Sequence, residues 1–341
     1  MKALKLQKDM AKVHEQFLGF QRRKGLTLGK KNIALVGYGY WGQKIYRYLK
    51  KSADFQVQYV FFRSLKDLSQ NAIEQKYGNE FVSTIDLILN DKSVPNIIIA
   101  TPVNTHFQLI KQALMKSKNV LAEKPLATDP LQSIELLKIA QERNLKLETE
   151  YTFTYSEALS FAQRIVEEET IGEIESIIIT KKQLGRFLPY DVYTLLGTHC
   201  ISMLDMFLPI QECKFYPKPL MRNEGIITAA NIYFESKNTK CQGYIDVNLH
   251  CPVRETKVII CGQNGTIVYD PGASDTLTLV LFSRFQRKGQ NKVEISKEKV
   301  YTTDENHNLQ RALVHFSKVI ENKVNDNSQR AAKITEIIAA F

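Results

Sequence analysis

Apolar and polar positions follow two different rhythms along the chain. Residues 32–36 (Asn-Ile-Ala-Leu-Val) form a short, nearly continuous apolar run, the pattern of a strand buried on both faces. A glycine-rich turn and a helical stretch over about 41–51 follow. Residues 56–62, 95–100 and 119–123 read as further strands, with helical patterns over about 105–117 and 129–144. Strands alternating with helices of this length predict right-handed βαβ units and a parallel, doubly wound sheet over 32–150.

Beyond residue 150 the rhythm changes. A helix over 157–168, a strand over 174–183 and a helix over about 190–208 precede several alternating β-rich runs. These lie at 226–234, 243–250, 256–261, 266–269 and 276–281; helical patterns return at 308–321 and at the C-terminus. The expectation is α/β overall: an N-terminal Rossmann sheet, then over 151–341 an α+β domain with a largely antiparallel open sheet.

Charge separates a further segment. The 341-residue chain carries a formal net charge of +10. Much of the excess lies in residues 1–31, where Lys2, Lys5, Lys8, Lys12, Arg22, Arg23, Lys24, Lys30 and Lys31 face only Asp9 and Glu15. The body is nearly balanced, which argues against a nucleic-acid partner. Leu6, Met10, Val13 and Phe17 stand at helical spacing, so 3–20 is expected to form a short amphipathic helix before Gly25 and Gly29 break the pattern. No apolar run approaches the roughly 20 residues of a membrane helix, and no signal-peptide core follows the start. Five cysteines without a C-x-x-C pair suggest neither a disulfide framework nor a metal site, and free thiols suit a cytoplasmic setting.

The strongest chemical signal is Gly37-Tyr38-Gly39-Tyr40-Trp41-Gly42, a G-x-G-x-x-G turn between a strand and a helix. Gly37 allows the tight turn, Gly39 lets backbone approach a pyrophosphate, and Gly42 lets helix and strand pack closely. The helix N-terminus adds free N–H groups and a positive dipole end. Tyr40 and Trp41 fall in the same segment. Where an NAD enzyme usually places an acid for the ribose, this chain has Arg63 and Ser64. A guanidinium fork and a hydroxyl suit a 2′-phosphate, so NADP(H) is favoured over NAD(H).

Further motifs occur in order: Ala100-Thr101-Pro102 with Thr105-His106, Glu123-Lys124-Pro125, Ile171-Gly172-Glu173-Ile174, Gly197-Thr198-His199 and Gly262-Gln263-Asn264-Gly265-Thr266. As an ordered set over residues 32–341, the chain resembles the Gfo/Idh/MocA family of dinucleotide-dependent oxidoreductases. The resemblance implies a Rossmann domain followed by an open-sheet domain often used for homo-oligomerisation. It also implies that Thr101, Pro102, His106, Glu123, Lys124 and Pro125 shape the cofactor side of the site. Lys124 would orient the reacting hydroxyl and steady negative charge on its oxygen. His199 would remove the hydroxyl proton as general base.

The region from Gln183 to Ser202 is similar to the family's sugar and nucleotide-sugar dehydrogenases. That similarity makes Arg186, Asp191, Tyr193 and Arg254 candidate substrate contacts beside Lys124 and His199. One position departs from the pattern: the family's aspartate, four residues before the histidine, is here Leu195. Leucine can neither stabilise an imidazolium nor orient the ring. Asp191 would stand about 12 Å from His199 along an ideal helix. The leading expectation is hydride transfer between a nicotinamide cofactor and a hydroxyl or keto group of a sugar or nucleotide sugar. The alternative is a dinucleotide-binding protein that has lost turnover; reduction of a different carbonyl, imine or double bond is a third reading.

Overall fold

The computed structural model describes residues 29–185, 189–272, 277–286, 293–303 and 307–341, with side chains up to 272 and from 307 onward. The helix expected over 3–20 and the candidate residue Arg186 lie outside these residues.

The first sheet is built as the apolar runs require. Strand β1 (Lys31–Val36) buries Ile33, Ala34, Leu35 and Val36, and leads through the glycine turn into α1 (Tyr40–Lys50). Strand β2 (Phe55–Phe61) is followed by α2 (Gln70–Tyr77) and α3 (Ile85–Asn90), neither of which the periodicity announces. Strand β3 (Asn96–Ile99), wholly buried, leads to α4 (His106–Met115). Strand β4 (Asn119–Glu123) leads to α5 (Pro130–Glu142). The Asp129 carboxylate caps α5 by accepting the Leu131 N–H, and Pro130 occupies the first turn, where its missing N–H costs nothing. Strand β5 (Leu147–Glu150) completes the order β2-β1-β3-β4-β5. Strands β1, β3, β4 and β5 pair in parallel. The order reverses between β1 and β3, where an open α/β sheet forms its ligand crevice beyond the carboxyl strand ends.

The second sheet follows α6 (Glu157–Glu167) and β6 (Ile174–Leu184). The helix expected over 190–208 is shorter and begins differently. A π-helical turn at Tyr193–Gly197 runs into α7 (Thr198–Leu204). Next come β7 (Cys213–Asn223), β8 (Ile226–Ser236), β9 (Gln242–Asn248), β10 (His250–Gly262), β11 (Gly265–Asp270), β12 (Leu277–Gln286) and β13 (Val293–Thr303). The sheet order is β13-β12-β11-β10-β6-β9-β8-β7, antiparallel except for β6 with β9. One face buries Ile177, Ile179, Ile245, Val247, Val258 and Ile260, with α7 packed on β6. Tyr216, Tyr233 and Tyr244 remain exposed on β7, β8 and β9.

The last two helices, α8 (Asn308–Ile320) and α9 (Ser328–Ala339), return to the first sheet. Leu309, Leu313, Phe316 and Val319 of α8 share one apolar cluster with Ile33, Ile45 and Phe55, and α9 packs on α5. Asn327 pairs with the edge strand β5 like a short strand: its Oδ1 accepts from Thr149 N at 2.8 Å and its Nδ2 donates to Thr149 O at 2.7 Å. The C-terminal helices thus contribute to the apolar core of the first sheet.

Candidate active site

Three segments meet at the crevice, beginning with the glycine turn. Gly37 has φ +103°, and a Cβ there would lie 2.3 Å from Ala100 O; a Cβ on Gly42 would lie 2.1 Å from Gly37 O. These two glycines allow close backbone packing. Gly39 differs, because a Cβ there would meet nothing within 4 Å. It opens α1 without a side-chain cap, and the open space at its Cβ position fits the close approach of a dinucleotide pyrophosphate to a helix N-terminus. Gly37 N donates to Phe61 O at 2.8 Å, which holds the turn against the end of β2. Exposed Arg63 and Ser64 follow there in a short 3-10 turn.

Tyr40 and Trp41 lie in the first turn of α1, with the Lys44 ammonium 4.3 Å and 4.6 Å from their ring centroids. Trp41, Lys44, Arg47 and Lys51 line one part of a cleft of about 540 Å³ that Thr152 and Arg254 also line. The cleft is markedly basic.

The second segment joins β3 to α4. Thr101 Oγ1 and Thr105 Oγ1 are 2.7 Å apart, and Thr105 Oγ1 donates to Pro102 O at 2.7 Å. The His106 ring is buried between main-chain carbonyls: Nδ1 is 2.8 Å from Pro125 O and Nε2 is 2.9 Å from Thr101 O. Burial holds its pKa below the usual histidine value, against the pull of the two carbonyls. Both ring nitrogens are thus occupied. His106 ties the Thr101 loop to the Lys124-Pro125 loop and presents neither nitrogen to a ligand.

The third segment is the end of β4, where Glu123 and Lys124 precede Pro125 in a cis peptide. Lys124 Nζ donates to the main-chain O of Leu195 at 2.7 Å. Glu123 stands opposite Glu150 in the β4–β5 register, and Oε1 of each is buried without a hydrogen bond. Thr152 Oγ1 donates to Glu150 Oε2 at 2.8 Å. Burial pushes Glu123 up to about 7; burial and then the Glu123 charge push Glu150 well above the carboxylate range. Burial lowers Lys124 to about 8, and the nearby acids only partly oppose it.

His199 sits in the first turn of α7, directly after the π turn. Thr198 N donates to Tyr193 O, five residues back, so the chain is wider here than an α-helix. His199 Nδ1 is buried and makes no hydrogen bond, while the ring packs edge-on against Phe153 with centroids 5.5 Å apart. Burial holds its pKa well below 6.5, and the cations Lys124, Lys181 and Arg254 lower it further. The imidazole is therefore neutral at neutral pH, and its surroundings disfavour a proton on the ring.

The remaining sequence candidates divide. Arg254 lies within electrostatic reach of His199 and lines the cleft. Asp191 instead caps the π turn, its Oδ1 accepting from Thr194 N at 2.8 Å. Tyr193 is 1% exposed and packs on Phe341 with ring centroids 5.1 Å apart. These contacts give Asp191 and Tyr193 a supporting place in the helix entry.

Sequence reading missed Glu150, Phe153 and Lys181. Lys181 is 3% exposed, lies 4.5 Å over the Phe153 ring and donates to Thr256 Oγ1 at 3.3 Å. The available signal is parity: Lys181 falls on the same face of β6 as buried Ile177 and Ile179.

Comparison with known proteins gives the same outline. Residues 31–151 match an oxidoreductase family with an NAD-binding Rossmann fold. An uncharacterised oxidoreductase of Escherichia coli, YhhX, is 28% identical over 151 residues, 43% of this chain and 42% of that protein. The dTDP-3,4-didehydro-2,6-dideoxy-alpha-D-glucose 3-reductase of Streptomyces violaceoruber is 31% identical over 106 residues, 31% of each chain. Both matches span less than half of the relative's length. The 3-ketoreductase KijD10 of Actinomadura kijaniata, solved with TDP-benzene and NADP, has the same fold. Its TM-score is 0.76 at 17% identity, covering 92% of this chain and 96% of that one.

Proposed function

On the premise that this chain belongs to the Gfo/Idh/MocA oxidoreductase family through residues 31–151, we propose that it is an NADP(H)-dependent oxidoreductase. Its substrate would be the hydroxyl or keto carbon of a sugar or nucleotide sugar. The observation that carries this reading is the joining of Lys124 to the turn that bears His199. Lys124 Nζ rests on Leu195 O, one helical turn before a histidine whose Nδ1 has no partner.

A bound nicotinamide supplies the hydride acceptor or donor. The protein's part is to hold and move the proton. In the oxidative direction the Lys124 ammonium leaves the Leu195 carbonyl, donates to the substrate oxygen and steadies its negative charge. Neutral His199 accepts the hydroxyl proton at Nδ1; in reduction the imidazolium returns it. Packing against Phe153 restrains the ring while the reacting atoms align. Glu123, raised to about 7 and so partly ionised at neutral pH, lies beside Lys124 and partly balances its charge, while burial keeps Glu150 protonated.

Gly39, the uncapped start of α1 and the basic cleft support a dinucleotide site. Arg63 and Ser64 at the end of β2 support the phosphorylated form. Kinship with a dTDP-sugar 3-reductase supports the sugar class. The test begins with fluorescence titration by NADPH and by NADH, because the single tryptophan, Trp41, lines the cleft. Turnover is then screened with nucleotide sugars. Quenching by NADPH and turnover lost in both Lys124→Ala and His199→Ala are expected. Turnover that survives either substitution overturns the assigned mechanism.

A further inference from the structure

His199 is surrounded by more positive charge than its role as a base requires. Lys124 reaches it from β4, Lys181 from β6 and Arg254 from β10, and each disfavours a proton on the ring. A base for alcohol oxidation gains nothing from losing basicity in this way. The arrangement makes sense when something negative enters the site.

The three cations are not equally balanced. Lys124 has the partly ionised Glu123 beside it and a carbonyl at its ammonium. Lys181 forms no ion pair among the described residues. Its one hydrogen bond there is the long contact to Thr256 Oγ1, and the Phe153 ring offsets only part of its lost hydration. The charged groups acting on Lys181 are Arg254 and Lys124; Cys200, also near, is a buried thiol raised to about 12 and therefore neutral. Arg254 likewise forms no ion pair or hydrogen bond among the described residues, and it lines the cleft that passes Trp41 and Thr152. An unpaired ammonium buried beside two other cations is an unfavourable arrangement for the free protein. Phe153, which contacts both Lys181 and the His199 ring, places this charge at the reaction centre.

We propose that Lys181 and Arg254 form a receptor for an oxyanion carried by the substrate, a carboxylate or a phosphoryl group, held beside the carbon that reacts at Lys124 and His199. This rests on the reading of those two residues as the reaction centre and adds a substrate class to it: an acidic sugar or a sugar phosphate. Lys181 closes the inner end of the receptor and Arg254 its cleft side. The bound anion replaces the missing neutralising group and restores basicity to His199.

Calorimetry on the full chain, with and without NADPH, tests this using D-glucuronate, D-glucose 6-phosphate and neutral D-glucose at pH 7. At least one anion should bind 10-fold or more tightly than glucose, and whichever it is separates carboxylate from phosphoryl recognition. Lys181→Met should bring the anion's affinity down to the level of glucose measured in the same variant, whereas Lys181→Arg should retain part of the preference. In the unsubstituted protein the preference should shrink at pH 9.5, where the Lys181 ammonium is lost. No anion preference, or one that survives Lys181→Met, overturns the proposal. Because the readout is anion binding, failure of the cofactor reading shows separately as absence of Trp41 quenching.

Discussion

Lys124 and Leu195 are joined by a 2.7 Å hydrogen bond from the lysine ammonium to the leucine main-chain oxygen. The bond uses no atom of the leucine side chain. It places the carbonyl of residue 195, where the resembled pattern has an aspartate, against the lysine proposed to act on the substrate oxygen. Loss of a carboxylate at 195 thus leaves Lys124 anchored. It deprives His199 of a negative neighbour, and the ring stays neutral among three cations.

That arrangement fixes the form of the pH profile. His199 acts as a base only when unprotonated, so oxidation falls as pH drops through its depressed pKa, below 6.5. Lys124 must be protonated, so oxidation also falls as pH rises through about 8. Leu195→Asp puts a carboxylate near both groups and favours their charged forms. The acid limb of kcat/KM should move up by about 1–3 pH units and the alkaline limb should move up with it. If neither limb moves, position 195 has no electrostatic hold on the pair.

The three glycines of the turn predict three different outcomes. Gly42→Ala forces a Cβ to within 2.1 Å of Gly37 O and should lower stability by about 1–3 kcal/mol in denaturant unfolding. Gly37→Ala adds a positive φ to its clash and should cost at least as much. Gly39→Ala meets no atom, so stability should change by less than about 0.5 kcal/mol. Its methyl group nevertheless enters the space assigned to the pyrophosphate. Cofactor affinity should fall with the fold intact; equal affinity in Gly39→Ala and the parent would remove the cofactor from that space.

The glycine turn was legible because its function and its local geometry use the same residues, in the same order, between two readable elements. The first-sheet strands were legible where both faces are apolar, as in β3. Strand β5 was not, because Leu-Glu-Thr-Glu is a buried strand with two acids in it, and Glu148 is held from far along the chain, accepting from Asn327 N at 2.9 Å. Strand β7 was hidden by Pro217 and Pro219, which a sheet tolerates at its edge. The π turn before His199 has no periodic signature, so an ideal helix was the wrong ruler for Asp191. Lys181 stood on a predictable face, yet a lysine among isoleucines reads as solvent-facing until its neighbours are known.

Cofactor choice turns on Arg63. It is exposed at the end of β2, and no charged partner holds it among the described residues. One charge-assisted hydrogen bond to a 2′-phosphate contributes about 1.5–3 kcal/mol, so Arg63→Ala should weaken NADPH binding roughly 10- to 100-fold. NADH binding should hardly change. Equal losses for both cofactors would make Arg63 a general contributor to the fold or field and not a reader of the phosphate.

Lys181 should also be visible in stability. Its pKa falls from 10.5 to about 8 on folding, chiefly through burial, so the unfolded chain binds this proton more tightly. Below pH 8 the lysine is charged in both states and the full penalty applies, on the order of 3 kcal/mol. Between pH 8 and 10.5 the folded state releases the proton first, and the penalty fades as pH rises. Lys181→Met fills the same space without a charge and should raise stability at pH 7 by about 1–3 kcal/mol, with the gain shrinking toward pH 10.5. The comparison needs both proteins at every pH, because Lys124 shifts in the same direction and its contribution cancels in the difference. Urea unfolding at pH 7 and pH 10 reads the result. A variant less stable than the parent at pH 7 would mean that the contacts to Phe153 and Thr256 outweigh the burial of the charge.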